Sequence, residues 1–83
     1  MEFIAHRINT INELKAIPKN VGVEIDIRDN EQGLYLSHDP FSNGDSLEDF
    51  LKFYQHGTLI LNIKSERIEY SIIELLKKYK IEF

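Results

Sequence analysis

Histidine, arginine and carboxylate side chains follow or interrupt the apolar runs in the first half of the chain. His6 and Arg7 directly follow the stretch "FIA", Glu24 and Asp26 interrupt "VGVEIDIRD", and His38 ends "LYLSH". A histidine can take up or release a proton near neutral pH, and an arginine keeps its positive charge. Side chains of these types indicate a site for an anionic substrate. The alternative at each position is a structural role, at a strand end or in a turn.

Glu24 and Asp26 are two residues apart in a predicted strand, so both carboxylates project from the same face. Two like charges about 7 Å apart along a strand repel each other unless a cation lies between them. A divalent metal ion accounts for the pair, and hard oxygen ligands favour Mg²⁺, Ca²⁺ or Mn²⁺ over Zn²⁺. The alternative is that both acids face solvent on an edge strand together with Arg28.

Strand-like and helix-like segments alternate along the chain. Short apolar or alternating runs predict strands, and apolar residues three or four positions apart predict helices. Capping-box patterns start two helices, at Thr10 and at Ser46, and Ser65 is a candidate cap for a third. The predicted strands cover 3–6, 21–29, 34–38, 58–63 and 81–83, and the predicted helices run from Thr10 to Pro18, from Ser46 to Gly57 and from Ser65 to Lys80.

The order of these segments is typical of βα units arranged around a parallel sheet. We therefore predict an α/β fold in which 1–83 form a single domain of parallel βα units. A complete (β/α)8 barrel needs roughly 200 residues or more, so the chain supplies the first part, about half, of such a TIM barrel. A small open α/β sheet is the alternative. The strand at 58–63 is apolar enough to be buried on both faces.

Composition excludes several classes of protein. The chain has 10 basic and 14 acidic residues, a net charge of −4 and no basic block, which argues against general nucleic-acid binding. It has no cysteine, which excludes disulfides, thiolate catalysis and cysteine metal sites. No apolar run approaches the roughly 18 residues of a membrane span, and Met1 is followed by Glu2 rather than a basic residue. We therefore predict a cytoplasmic protein without a membrane span.

Three short motifs together resemble the glycerophosphodiester phosphodiesterase family. They are "AHR" after the first predicted strand, "EID" on the second and "HDP" after the next extended run. The wider superfamily of phosphatidylinositol-phospholipase-C-like barrel enzymes is similar, and the short spacing resembles its sphingomyelinase D branch. The match covers 3–40 and, more weakly, 58–65, so it concerns the N-terminal part of that family. It implies a (β/α)8 barrel and a phosphodiester substrate.

The resemblance also assigns roles to individual residues. It implies that His6 and His38 act as general acid and base. It implies that Glu24 and Asp26 bind a divalent cation, either Mg²⁺ or Ca²⁺. Arg7 matches the family's phosphate-contacting arginine.

A later segment, "LILNIKS", resembles the family's Glu-x-Lys strand. The resemblance makes Lys64 a substrate-phosphate contact and puts Asn62 where the family has a third carboxylate ligand. An amide oxygen can also coordinate a hard metal ion. Ile8 stands where the family has glycine, and the family's Glu-Asn-Thr segment does not follow it.

These features predict metal-dependent hydrolysis of a small glycerophosphodiester-like molecule, which would make the chain a phosphoric diester hydrolase. One alternative is an incomplete barrel that acts as a non-catalytic binding or assembly module. Another is a different enzymatic activity on a phosphorylated metabolite. A parallel sheet that ends in "KIEF" leaves apolar edges uncovered, so we also predict that the chain associates with itself.

Overall fold

A computed structural model of the chain describes residues 2–39 and 44–81. Within these ranges the chain has four strands and three helices, and the four strands form one sheet. In chain order the elements are β1 (Ile4–Ala5), α1 (Ile11–Ala16), β2 (Gly22–Asn30), β3 (Gly33–Leu36), α2 (Leu47–Lys52), β4 (Leu59–Ile63) and α3 (Glu69–Lys78).

The sheet is organised around β2, which is nine residues long and pairs with all three other strands. β1 and β4 are parallel to β2, whereas β3 is antiparallel to it. Val23 pairs with both β1 and β4, and Ile27 pairs with both β3 and β4. It follows that β1 and β3 lie end to end along one side of β2, with β4 on the other side.

The prediction of parallel βα units forming about half of a TIM barrel is wrong, because the sheet is mixed. Only Glu31 and Gln32 separate β2 from β3, and a parallel connection needs a dozen or more residues. Gly33, at the start of β3, has a φ of 121°, a conformation that glycine adopts readily. The extended run predicted at 34–38 is therefore the second strand of a hairpin. Of the strand predicted at 81–83, Ile81 lies outside any strand and 82–83 lie outside the described residues.

The hydrophobic core includes alternate side chains of β2. Val23, Ile25 and Ile27 are fully buried, as their alternation predicted. Burying one such side chain stabilises the folded state by about 1.5–3 kcal/mol, so this face holds the helices against the sheet. The helical side chains buried in the same cluster are Leu14 of α1, Leu47, Phe50 and Leu51 of α2, and Ile72 and Leu76 of α3.

Both predicted capping boxes start helices in the structure. The Thr10 hydroxyl accepts from the Glu13 backbone N–H at 3.1 Å and donates to the Glu13 carboxylate at 3.0 Å. The Ser46 hydroxyl accepts from the Asp49 backbone N–H at 3.1 Å. These bonds satisfy backbone donors that would otherwise lack partners at a helix start.

The start of α3 differs from the prediction. The Ser65 hydroxyl accepts from the Asp29 backbone N–H at 3.2 Å instead of capping a helix. Arg67 has a φ of 65°, which is a left-handed conformation that a right-handed helix cannot contain. The helix therefore begins later, after Ile68, and without a side-chain cap.

β4 is buried on one face rather than on both, so that prediction is also wrong. Leu59 is buried and Leu61 is partly buried on the face that meets the core. Ile60, on the opposite face, is 40% exposed, and Ile63, at the end of the strand, is 37% exposed. Among the described residues β4 pairs only with β2, which leaves its other backbone edge unpaired. The three described helices all fall short of the length and apolar character that a bilayer-spanning helix requires.

Candidate functional site

The candidate site lies along the central strand, where the ends of β1 and β4 meet β2. β1 ends at Ala5, which pairs with Val23, so His6 emerges beside Glu24. On the other side of β2, Asn62 pairs with Asp26, and Lys64 follows the last residue of β4. Because β1 and β4 are parallel to β2, the carboxyl ends of these two strands bring His6 and Lys64 to either side of the middle of β2, where Glu24 and Asp26 lie.

His6 and Glu24 form the first contact of the site. His6 Nδ1 lies 3.4 Å from Glu24 Oε1, and the Arg7 backbone N–H donates to the same oxygen at 3.4 Å. The His6 side chain is 74% exposed, so its outer face is open to solvent. In the tautomer with its proton on Nδ1, the ring donates to Glu24 and presents the lone pair of Nε2 to a ligand.

Arg7, which directly follows His6, has an unusual backbone conformation. Its φ is 54°, in the left-handed region that residues other than glycine seldom adopt. This conformation directs its backbone N–H toward Glu24, while the next backbone N–H, that of Ile8, donates to the Glu24 carbonyl at 2.9 Å. Strained backbone of this kind persists where surrounding bonds hold it, and it is concentrated at functional sites.

Asp26 is the only fully buried charged side chain among the described residues, and three neighbours surround its carboxylate. Asn9 Nδ2 donates to Oδ2 at 3.0 Å, and Asn62 Nδ2 donates to Oδ1 at 3.2 Å. The ammonium of Lys64 lies 4.0 Å from Oδ1. A buried carboxylate needs such donors and a nearby positive charge, because isolated burial is strongly unfavourable.

The structure therefore brings most of the predicted site residues together, although in two linked groups. His6, Arg7 and Glu24 form one group, and Asp26 with Asn62 and Lys64 forms the other. Asn62 faces Asp26 through its amide nitrogen, so it acts here as a hydrogen-bond donor. Within the described residues, no group of three or more His, Cys, Asp or Glu side chains is arranged to hold a metal ion.

The hairpin brings the backbone at His38 alongside the same part of β2. The Ser37 backbone N–H donates to the Asp26 carbonyl at 3.1 Å, so the chain after β3 runs beside Asp26. The Arg28 guanidinium donates to the carbonyls of Ser37 and His38, at 3.1 and 2.9 Å. These bonds fix the backbone at His38, and His38 itself is exposed to solvent. Pro40 of the "HDP" motif lies outside the described residues.

Asn9 and Asp45 take part in this arrangement although sequence patterns did not select them. Asn9 bonds to Asp26, and Asp45 Oδ2 accepts from the Ile11 backbone N–H at 2.7 Å at the start of α1. Both bonds join segments far apart in the chain. The available signal was chemical: a buried Asp26 requires donors, and Asn9 lies next to the capping box in the segment that also carries His6.

A cavity of about 630 Å³ lies at the opposite end of the sheet. There the hydroxyl and backbone N–H of Thr58 donate to Glu2 and lower the pKa of its carboxyl group. Burial raises the pKa of Tyr54 to about 12, and its hydroxyl donates to the Gly57 carbonyl. His56 Nε2 lies 3.0 Å from the Ile17 carbonyl oxygen. Glu2, Tyr54 and His56 are each bonded to Thr58 or to a backbone carbonyl. The region around Glu24 instead pairs a histidine with a carboxylate, which favours it as the candidate site.

Comparison with known proteins gives no match, so the chemistry of the site is inferred from its geometry and from the sequence motifs. No protein-family model matches the chain, and no curated protein or solved structure matches it either.

Proposed function

We propose that the chain hydrolyses a small phosphodiester at the candidate site, as its motifs' resemblance to the glycerophosphodiester phosphodiesterases implies. The observation that carries the proposal is the contact between His6 Nδ1 and Glu24 Oε1 at 3.4 Å. It joins a proton-transfer group to a carboxylate that can fix its orientation. Arg7 follows His6 directly in the chain, and Lys64 lies across β2 beside Asp26, so the segment after β1 and the end of β4 each supply a basic residue.

The chemistry requires an acid, a base and positive charge. Attack of water or of a neighbouring substrate hydroxyl forms a new P–O bond, and the P–O bond to the leaving alcohol breaks. One histidine, His6 or His38, takes the proton of the nucleophile, and the other protonates the departing alcohol oxygen. Arg7 and Lys64 bind the phosphoryl oxygens and stabilise the negative charge that develops on them. Attack by a substrate hydroxyl would give a cyclic phosphate first.

Two carboxylates support a divalent cation as part of this proposal. Mg²⁺ is commonly bound by one or two carboxylates together with phosphate oxygens of the substrate. Glu24 and Asp26 offer that number of ligands on one face of β2, and the Glu24 side chain is 23% exposed. A cation bound there would neutralise phosphate charge. Since Asp26 is already bonded to two amides, we propose Glu24 as the principal ligand and expect weak binding.

The purified 83-residue chain should release alcohol from bis(para-nitrophenyl) phosphate and from glycerophosphocholine in the presence of Mg²⁺ or Ca²⁺. The monoester para-nitrophenyl phosphate, measured in parallel, should react more slowly, because the proposed site is built for one negative charge. A His56→Gln variant is the matched control, since His56 lies at the opposite end of the sheet, and it should retain the activity. Absence of diester hydrolysis with either cation would refute the proposed function.

The unpaired edge of β4 supports the alternative function, in which the chain acts as an assembly module. The alternation of its bonds to β2 directs the backbone groups of Leu59, Leu61 and Ile63 outward, and unpaired apolar edges promote strand pairing. Antiparallel pairing with a second copy, centred on Leu61, would place Lys64 of each copy opposite Thr58. Thr58 binds the carboxylate of Glu2, so opposite charges would meet at both ends.

The proposed strand pairing predicts that the chain associates with itself in solution. We expect light scattering to show a dimer at high protein concentration, and Ile60→Lys to shift it to monomer because an edge lysine opposes strand pairing. Ile73→Lys, at a similarly exposed isoleucine on α3, is the matched control and should leave the dimer intact. A monomeric wild type at high concentration would exclude the assembly function through this edge.

A further inference from the structure

Asn9 and Asp26 are joined by a reciprocal pair of hydrogen bonds. Asn9 Oδ1 accepts from the Asp26 backbone N–H at 2.8 Å, and Asn9 Nδ2 donates to Asp26 Oδ2 at 3.0 Å. The sequence separation is 17 residues, so these bonds connect the segment after β1 to the middle of β2. One amide side chain thus satisfies both a buried backbone donor and a buried carboxylate.

Asn9 is also held on its other side by the start of α1. Its backbone N–H donates to the Glu13 carboxylate at 3.3 Å, and Glu13 in turn accepts from Thr10. One residue earlier, the Ile8 backbone N–H donates to the Glu24 carbonyl. The short segment that carries His6 and Arg7 is therefore fixed to β2 at two points and to α1 at a third.

The chemistry of this position selects asparagine over its close relatives. The Asp26 backbone N–H needs an acceptor, and the Asp26 carboxylate needs a donor on the same planar group. Aspartate at position 9 would supply the acceptor but would place a second carboxylate against the first. Serine offers one hydroxyl for both tasks, and alanine offers neither group. The amide alone meets both requirements at once.

We propose that Asn9 is a positioning residue, which holds the left-handed turn at Arg7 and thereby sets His6 against Glu24. Its effect on turnover rests on the proposed function, whereas its effect on the position of His6 does not. Without the bonds to Asp26, nothing in the side chain of Asn9 would hold the end of this segment to β2. The turn would then lose one of the constraints that keep Arg7 in an unfavourable conformation, and the Ile8 bond to Glu24 alone would anchor the segment by its backbone carbonyl.

The first measurement introduces a negative charge beside Asp26 and follows the melting temperature of the variant at two pH values. In Asn9→Asp, two carboxylates share one site at pH 8, and uptake of one proton at lower pH restores a donor between them. The variant binds a proton more readily when folded than when unfolded, so its stability falls as the pH rises. We expect its melting temperature to lie about 5–10 °C below that of wild type at pH 8, with a smaller difference at pH 5. Asn12→Asp, the same change at an exposed position of α1, should show no such pH-dependent difference.

The second measurement reports the position of His6 directly. In Asn9→Ala, the ring signals of His6 in a proton–carbon NMR spectrum should shift and broaden, whereas those of His56 should stay in place. If wild type hydrolyses diesters, Asn9→Ala should also lower kcat more than it changes KM. Absence of diester hydrolysis would refute the proposed function, whereas the other two measurements would still test the positioning role of Asn9. Unchanged His6 signals together with an Asn9→Asp stability difference that is the same at pH 5 and pH 8 would overturn the positioning role.

Discussion

Replacement of His6 by alanine should lower the turnover of a phosphodiester by about 100-fold or more, since general acid–base catalysis typically contributes that factor. His6 is the histidine whose ring contacts a carboxylate of the site, at 3.4 Å from Glu24. Alanine removes the proton-transfer group and leaves Arg7 and Lys64 in place. Substrate binding should therefore weaken much less than turnover. Steady-state kcat and KM for bis(para-nitrophenyl) phosphate give the two effects separately.

His38→Ala provides the companion measurement, because the proposed reaction needs one histidine for each proton. It should also reduce kcat by about 100-fold. The double variant should lose much less than the product of the two factors, since residues that act as one unit are not additive. Normal turnover in His6→Ala would contradict the catalytic role and leave His6 as the residue that ends β1.

Asp26→Ala should destabilise the folded chain by about 1–3 kcal/mol. The substitution removes the acceptor of the half-buried Asn9 amide, and an unsatisfied buried donor costs about 1–3 kcal/mol. It also removes the acceptor of Asn62, which is exposed and can bond to water instead. It also removes the carboxylate beside Lys64 and opens a cavity in a fully buried position. Urea denaturation, followed by circular dichroism, measures the free energy of unfolding. For a small domain this loss is a large fraction of the total stability.

Asp29→Ala is the matched control for this substitution. Asp29 lies on the same strand as Asp26 and carries the same charge, but it is exposed to solvent. Its replacement should change the free energy of unfolding by no more than about 0.5 kcal/mol, as is usual for surface positions. Equal effects of the two substitutions would show that the bonds around Asp26 contribute little to stability.

Features that depend on neighbouring residues could be predicted from the sequence. The spacing of Thr10 and Glu13 predicted a helix start that the structure contains, and the Thr10 hydroxyl accepts from the Glu13 backbone N–H as in a capping box. The alternation along β2 predicted that Ile25 would be buried and that Glu24 and Asp26 would share the opposite face. Such signals are complete within a few residues, because a helix cap and a strand face are local properties.

Features that depend on distant residues could not be predicted in the same way. The direction of β3 is an exception, because it is decided locally: the two-residue connection before it permits only antiparallel pairing with β2. Ile60 is apolar but exposed, because burial on a second face would require a neighbour that β4 lacks among the described residues. The role of Asn9 depends on Asp26, 17 residues away, and no spacing rule connects them.

The buried carboxylate of Asp26 also has a consequence for the alignment of the strands. It sits beside Asn62 in the observed pairing, and a shift of β4 by one residue would turn every side chain of that strand to the opposite face. Asn62 would then enter the apolar core, and Asp26 would lose a donor. A shift by two residues toward the start of β4 would instead set Ile60 against the charge. Both of these misaligned pairings take the Asn62 donor away from the buried carboxylate, so Asp26 favours the observed register over them.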